Sequence, residues 1–502
     1  MHTIHNITCG ALIAATLGTV AIAGVPDRPE ELIFEELRFT PPASGDYRYE
    51  LPSGVPVYMA PSNEFPLVSI TFSFKGGAYL VPADKAGLHS MTGALMRSGG
   101  TASMSPADLD EEIAYLAANI STGSGSTTSS ATLNALSSNL DEALALFMDV
   151  VRNPRFDEDR KRILVEQRLE GMKQRNDAPG SIVSREFNRL MYGEDSFQAR
   201  VSTEPTVTSI TQQDMRAFHQ RVFQPGNLII GVSGDFEPEE MLSTLERAME
   251  GWAFGESVPD PQGSDNVPEP GVYYVNKDDV PQGMVRFGHR TVDRDHPDSI
   301  KISLMNDILG GGGFTARLMN RLRNDEGLTY GVYSSFVRPS WYPGHFLTHF
   351  STSGETVALA LRMAKEEITK VRSGMVSEEE LRTAQNSVIE TFPRTFESKP
   401  AMLGVFINDE WTGRDPNYWA TYRDRVKAVT RADIQDVANE YLRPENMAIL
   451  VVGPWEDIYT GNVNEVDPNR QASMAEFFDG EAQQIPLRDP MTQQNISASD
   501  GG

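Results

Sequence analysis

Two pairs of side chains have the type and spacing that chemistry could use. Arg323 and Tyr330 stand seven residues apart in "ILGGGGFTARLMNRLRNDEGLTYGVYSS", flanking the turn "NDEG". A guanidinium offers a fixed fork of donors and a phenol a hydroxyl, so both can grip a carbonyl or an oxyanion as charge develops on it. Read alone, the arginine is a solvated helix residue and the tyrosine ordinary strand packing. Gly310, Gly311, Gly312 and Gly313 end the preceding helix with a run able to adopt unusual dihedrals or to approach another backbone closely. The second pair is His345 and His349 in "HFLTH", spaced like two metal ligands on one helix face. They follow Pro343 and Gly344 and run into "FSTSG", an alternating pattern that predicts a strand. On a strand, residues i and i+4 lie about 13 Å apart and cannot share an ion.

A third stretch is notable for what it lacks. "AGLHSMTGALMRSGGT", Ala86 to Thr101, places Leu88, Met91 and Leu95 at i, i+3 and i+7, the spacing of a buried helical stripe. Gly99 and Gly100 then stop the helix. Ser90, Gly93 and Ala94 occupy it where reactive groups could stand, and none of them binds a metal. The chain also has no Gly-x-Ser-x-Gly nucleophile motif and no lysine-bearing phosphate loop.

The elements that must position these residues belong to a strongly acidic chain of 502 residues, with 44 Lys and Arg against 70 Asp and Glu and a net charge of −26. Such a surface repels nucleic acid phosphates and anionic lipid headgroups. Residues 1–23 read as a signal peptide: "CGALIAATLGTVAIA" is apolar, too short for a membrane span, and ends in "AIA" before Gly24. Export, to a periplasm-like compartment, is the expectation, although "MHTIHN" lacks the usual Lys or Arg. Cys9 is the only cysteine and lies inside that segment, which leaves the mature chain without a disulfide, a thiolate nucleophile or a cysteine zinc site. The apolar run follows Cys9 instead of preceding it, which argues against a lipid anchor there.

One unit occurs twice. "TQQDMRAFHQRVFQPGNLIIGVSG", from Thr211, aligns without a gap on "TRADIQDVANEYLRPENMAILVVG", from Thr430. Thr211/Thr430, Asp214/Asp433, Pro225/Pro444, Asn227/Asn446, Ile230/Ile449, Val232/Val451 and Gly234/Gly453 are identical. Each copy predicts an N-capping threonine with an acidic first turn, a helix ended at Pro-x-Asn, and a buried β-branched strand. Upstream of each copy runs a long charged helix ending before a proline, Pro179 or Pro400. The fold class is therefore α+β, two tandem homologous α/β halves, each a sheet with helices packed on it. The halves are assigned to 45–255 and 271–466, joined by a Pro-, Gly- and acid-rich linker at 256–270. Residues 467–502 are expected to form a flexible acidic tail that adds no core.

This duplicated framework, with "LPSGVPVYMAPSNEFPLVSITFSFKGGA" and the helix after it, resembles the pitrilysin/insulinase family of zinc metallopeptidases, the inverted zincins. It is similar in particular to the two-domain subunits of mitochondrial processing peptidase and their bacterial relatives. In catalytic members the helix reads His-x-x-Glu-His, two histidines binding zinc and the glutamate activating the bound water. The resemblance places those three roles on Ser90, Gly93 and Ala94, and the third ligand, a glutamate, on Gly171, with Glu170 beside it. His89 is one position off, about 100° round the helix. The resemblance thus implies no metal and no catalysis in this chain alone, with zinc in a partner. It further implies that Arg323 and Tyr330 hold a substrate's backbone carbonyls at the zinc site of a homologous, zinc-bearing subunit. Resemblance to the core subunits of the respiratory bc1 complex implies the alternative, a purely structural role.

Overall fold

In the computed structural model, which describes residues 38–496, the chain is built around two six-stranded sheets. The first contains β1 (Arg48–Glu50), β2 (Pro56–Pro61), β3 (Leu67–Lys75), β4 (Asn119–Ser124), β5 (Thr128–Leu136) and β6 (Leu228–Gly234), in the order β1-β2-β6-β3-β5-β4. The second contains β7 (Gly271–Asn276), β8 (Gln282–Arg290), β9 (Val332–Val337), β10 (His345–Ser353), β11 (Ala448–Gly453) and β12 (Gln483–Gln484), in the order β12-β7-β11-β8-β10-β9. Five strands of each sheet follow one plan. The β2–β6 and β7–β11 pairs are parallel, and the pairs beyond them are antiparallel.

Local sequence explains the strands. β3 alternates, sending Val68, Ile70, Phe72 and Phe74 into the core and leaving Ser69, Thr71 and Ser73 partly wet. "LIIGVSG" and "AILVVG" do not alternate, and β6 and β11 are buried on both faces. The helices that precede them repeat the same cap. Thr211 accepts from the Asp214 amide at the start of Gln212–Val222, and Thr430 accepts from the Asp433 amide at the start of Arg431–Tyr441. In both, the threonine amide donates in turn to the aspartate carboxylate, completing a capping box.

The second face of each sheet is covered by a helix from the other half. With α1 as Leu88–Ser98 and α2 as Glu158–Lys173, the next long helix, α3 (Pro179–Tyr192), lays Ile182, Val183, Phe187 and Met191 against Tyr273, Val275, Leu450 and Val452 of the second sheet. In return α4 (Lys399–Thr412) lays Met402, Leu403, Phe406 and Ile407 against Tyr58, Ala60 and Ile229 of the first. Gly231 makes the approach possible, since a Cβ there would stand 3.0 Å from Ile407 Cδ1. Glu410 of α4 accepts from Tyr58 (2.5 Å) and Arg48 (2.9 Å) at the rim of this contact. Each buried side chain of this size contributes roughly 1.5–3 kcal/mol, so the exchange is a principal tie between the halves.

Two expectations need correction and one lies outside the described residues. The segment after Asp467 does add core: Ala472 and Met474 are buried, Ile485 and Leu487 pack beneath α3, and Gln483–Gln484 forms the edge strand beside β7. Its apolar residues are spaced as an extended strap, which carries no period to read. The "HFLTH" segment is strand β10, as its pattern predicts, with His345 buried and its Nδ1 2.7 Å from the Tyr192 hydroxyl. The glycine run does not simply end a helix. Helix Ser299–Asn306 widens into a π turn over Asp307–Gly311, and Gly313 adopts φ +60°. The signal segment at 1–23 lies outside the described residues. Among those described, no helix is long and apolar enough to cross a membrane.

Candidate functional site

Helix α1 is fixed by Leu88, Met91 and Leu95, all buried, and by close contact with β4. The contact is closest at Gly93. A Cβ there would lie 2.5 Å from the Ser124 nitrogen and 2.7 Å from the Gly123 carbonyl carbon, and Thr122 Oγ1 donates to the Gly93 carbonyl at 2.6 Å. The position that a general-base glutamate would need is therefore filled by the β4 backbone. Ala94 is half-buried beside it. Ser90 donates to the Gly87 carbonyl and accepts from Arg168 Nη1 on α2, both at 3.1 Å. Gly171, one turn beyond Arg168, faces open space, and Glu170 is exposed and paired with Lys173 at 2.8 Å. Thus α2 meets α1 through a guanidinium, and Ser90, Gly93, Ala94 and Gly171 bring no ligand together. Among the described residues, no three His, Cys, Asp or Glu side chains are grouped so that they could hold a metal ion.

His89 is half-buried with Nδ1 enclosed and without a hydrogen-bond partner. Burial, with a further push from the Arg168 charge, lowers its pKa to about 4, so the ring is neutral near pH 7. Arg168 escaped the sequence reading. Only the fold brings it opposite Ser90, 78 residues away in the chain, so no local pattern marks it.

The second candidate surface is in the other half. Arg323 lies in a π turn over Asn320–Asp325, Gly327 turns the chain with φ +63°, and Tyr330 stands just before β9. Wide turns of this kind recur at functional sites. Gly310 lets the first π turn press on β9, since a Cβ there would meet Ser334 nitrogen at 2.7 Å. Ser334 Oγ donates to Asn306 Oδ1 at 2.8 Å across the same contact. On this base the Arg323 guanidinium is held between two rings, 4.7 Å from the centroid of Phe314 and 5.1 Å from that of Tyr330. Phe314 is 67% and Tyr330 88% exposed. Among the described residues the Arg323 guanidinium makes no hydrogen bond and no ion pair, so its donors are unspent. Arg323 and Tyr330 are brought together, and Phe314 is the member that the sequence reading missed.

Residues 209–388 match the family described as "Peptidase M16 inactive domain". A Helicobacter pylori protein described as "Non-peptidase homolog YmxG" is 23% identical over 404 residues, covering 79% of this chain and 91% of its own. In structure the chain is similar to a peptidase M16 inactive domain from Pseudomonas fluorescens, with TM-score 0.72, 24% identity, and 81% and 97% of the two chains covered. It shares its fold also with a chain of Complex III2 from Candida albicans, with TM-score 0.64, 14% identity, and 84% and 98% covered.

Proposed function

We propose that this chain, an M16-type peptidase homologue without the His-x-x-Glu-His helix, is the non-catalytic, substrate-binding subunit of an exported zinc metallopeptidase complex. One observation carries the reading: Arg323 is held between Phe314 and Tyr330 on an exposed face with none of its donors used. A half-buried arginine at the surface of an acidic chain normally finds a carboxylate. This one is fixed by rings, which cost it no hydrogen-bond donor and remove rotamer freedom that binding would otherwise have to remove. It is prepared for a peptide carbonyl, with the Tyr330 hydroxyl beside it as a second donor. Zinc, the activated water and the base belong to a homologous partner. Arg323 and Tyr330 hold the carbonyl oxygen on which negative charge grows during hydrolysis there.

The test is peptide hydrolysis by this chain reconstituted with a His-x-x-Glu-His-bearing homologue from the same genome, with size-exclusion chromatography as the assembly control. Loss of one such donor typically lowers the rate by on the order of 10²–10³, so Arg323→Ala and Tyr330→Phe should each cut turnover while the complex still assembles. Full activity in both variants makes the chain a scaffold. Equal activity of the homologue without this chain removes the shared site altogether.

A further inference from the structure

The chain carries 70 acids against 44 Lys and Arg, yet one cavity of the first half is lined by cations alone. It measures about 570 Å³ and opens where helices Leu140–Arg152 and Gln212–Val222 end beside the stretch after Met249. Arg152, Arg155 and Arg216 line it together with the rings of Phe156 and Trp252, and none of its lining residues is acidic. Buried Phe156 holds φ +55°, a left-handed value that a ring-bearing residue keeps only where its surroundings impose it. The turn is pinned by Gln212 Nε2, which donates to the Arg155 and Phe156 carbonyls at 3.2 and 3.0 Å. Arg152 Nη1 donates to the Ala248 and Glu250 carbonyls at 3.3 and 3.2 Å, and its guanidinium lies 5.8 Å from the Trp252 centroid. Arg216 donates to the Pro154 and Arg155 carbonyls at 3.4 and 3.0 Å, with its guanidinium 5.9 Å from the Phe156 centroid. Carbonyls and rings hold these two guanidiniums without cancelling their charge.

Among the described residues Arg152 and Arg216 form no ion pair, and that of Arg155 with Asp157 Oδ2 is stretched to 4.0 Å. Asp157 Oδ1 is spent on the Asp159 and Arg160 amides at the start of α2, both at 3.1 Å. Arg155 and Arg216 are exposed, so their remaining donors are open to a ligand. The duplicated half supplies the comparison. Arg431 Nε donates to the Val376 carbonyl as Gln212 Nε2 does to that of Phe156, which matches the two places in space. Four residues before Val376, Arg372 stands for Arg152, and it pairs with Glu445 at 3.5 Å. In the first half the place of Glu445 falls to Gly226, while Arg216 and Arg155 stand where the second has Gln435 and Met375. A Cβ at Gly226 would lie 2.4 Å from the Gly255 carbonyl oxygen, so no acid fits there. One copy has a single arginine with its acid, and the other gathers three around a cavity without one. Such cations repel one another until an anion stands between them.

We infer that this cavity binds a small multivalent oxyanion, whose carboxylate or phosphate groups engage Arg152, Arg155 and Arg216 together. Guanidinium forks match both kinds of group. A single carboxylate occupies one fork and leaves the other charges unmet, so a ligand with two or three anionic groups is favoured. The volume lies within the roughly 300–1,000 Å³ typical of small-molecule sites. An acidic protein or a nucleic acid would also meet the rest of a surface with net charge −26, whereas a small anion is held inside the cavity. The site is independent of the peptidase reading, of a partner chain and of zinc.

The experiment is titration calorimetry of the full chain, at fixed ionic strength, with citrate, pyrophosphate and acetate. The expected result is saturable binding of citrate or pyrophosphate, at least tenfold tighter than acetate. Arg155→Gln and Arg216→Gln should each weaken it at least tenfold, as should Gln220→Glu, which adds an acid at an exposed lining position. Arg372→Gln, at the acid-paired place in the second half, should leave it unchanged. Tighter binding of citrate assigns a polycarboxylate as ligand, and tighter binding of pyrophosphate a phosphate-bearing one. Equal binding of the two supports a site that reads charge alone. Acetate binding as tightly as both, no saturation in the millimolar range, or undiminished binding in Arg155→Gln and Arg216→Gln overturns the inference. Because the comparison with acetate uses the wild-type chain, it stands even if a variant misfolds.

Discussion

Arg168 Nη1 on α2 donates to the hydroxyl of Ser90 on α1 at 3.1 Å, so the two helices on which the family's zinc ligands would stand are joined by a cation. A guanidinium at that place disfavours a divalent ion by charge alone. Steric exclusion one turn on, at Gly93, is the second obstacle.

The first prediction concerns Gly93. Helix propensity says that Gly93→Ala should gain about 1 kcal/mol. The Cβ, however, would enter within 2.7 Å of the β4 backbone at Ser124 and Gly123, neither of which is a flexible side-chain end. The clash should win, for a net loss of roughly 1–3 kcal/mol. Urea unfolding measures it, and a stabilised variant would mean that β4 yields freely. Restoring the full motif with Ser90→His, Gly93→Glu, Ala94→His and Gly171→Glu should consequently give no stoichiometric zinc by metal analysis.

The second concerns pH. His89, His219 and His345 are each pushed to about 4, chiefly by burial. Above the ordinary value of 6.5 both folded and unfolded chains hold them neutral, and stability is unaffected. As pH falls below 6.5 the unfolded chain takes up protons that the folded chain refuses until about 4, so stability is lost across that window. At pH 5 the loss should be on the order of 1–2 kcal/mol for each site. His219→Gln can still donate an amide hydrogen to the Val151 carbonyl, now 2.7 Å from His219 Nε2, and should flatten the dependence. Unchanged unfolding free energy between pH 7 and 5 would count against buried neutral rings, as would imidazole signals titrating near 6.5.

The parts of this molecule that were legible in its sequence are those with a local cause. Thr211 and Asp214 cap a helix by contacts three residues apart, and the same letters at Thr430 and Asp433 do the same work, so the duplication could be read directly. The alternation around His345 likewise gave its strand. What was not legible depends on neighbours distant in the chain. No pattern in "PGSIVSREFNRLMY" states that its apolar face covers a sheet made largely of residues after 270. Arg168 opposite Ser90, and Phe314 under Arg323, are equally contacts of the fold and not of the sequence. The strap after Asp467 was missed because Met474, Ile485 and Leu487 anchor an extended chain with no period to betray it.

The last prediction tests the helix exchange. Phe406 on α4 is buried between Tyr47 and Tyr58 of the first half, with ring centroids 5.7 and 5.9 Å away, although α4 belongs to the second half. Phe187 on α3 is buried beneath the second sheet, its ring centroid 5.8 Å from that of His345. Truncating either to alanine should cost about 3–5 kcal/mol. The diagnostic is where the loosening appears. Phe406→Ala should raise amide exchange in β2 and β6, and Phe187→Ala in β8 and β11, each in the half opposite in sequence to the substitution. Phe406→Leu, which keeps most of the volume, should recover much of the protection. Exchange that rises only within the substituted residue's own half would show that each sheet holds itself together and the crossed helices merely lie on it. The expected pattern means that strain applied to one half is felt in the other. Arg323 in the second half and helix α1 in the first are then carried on one body.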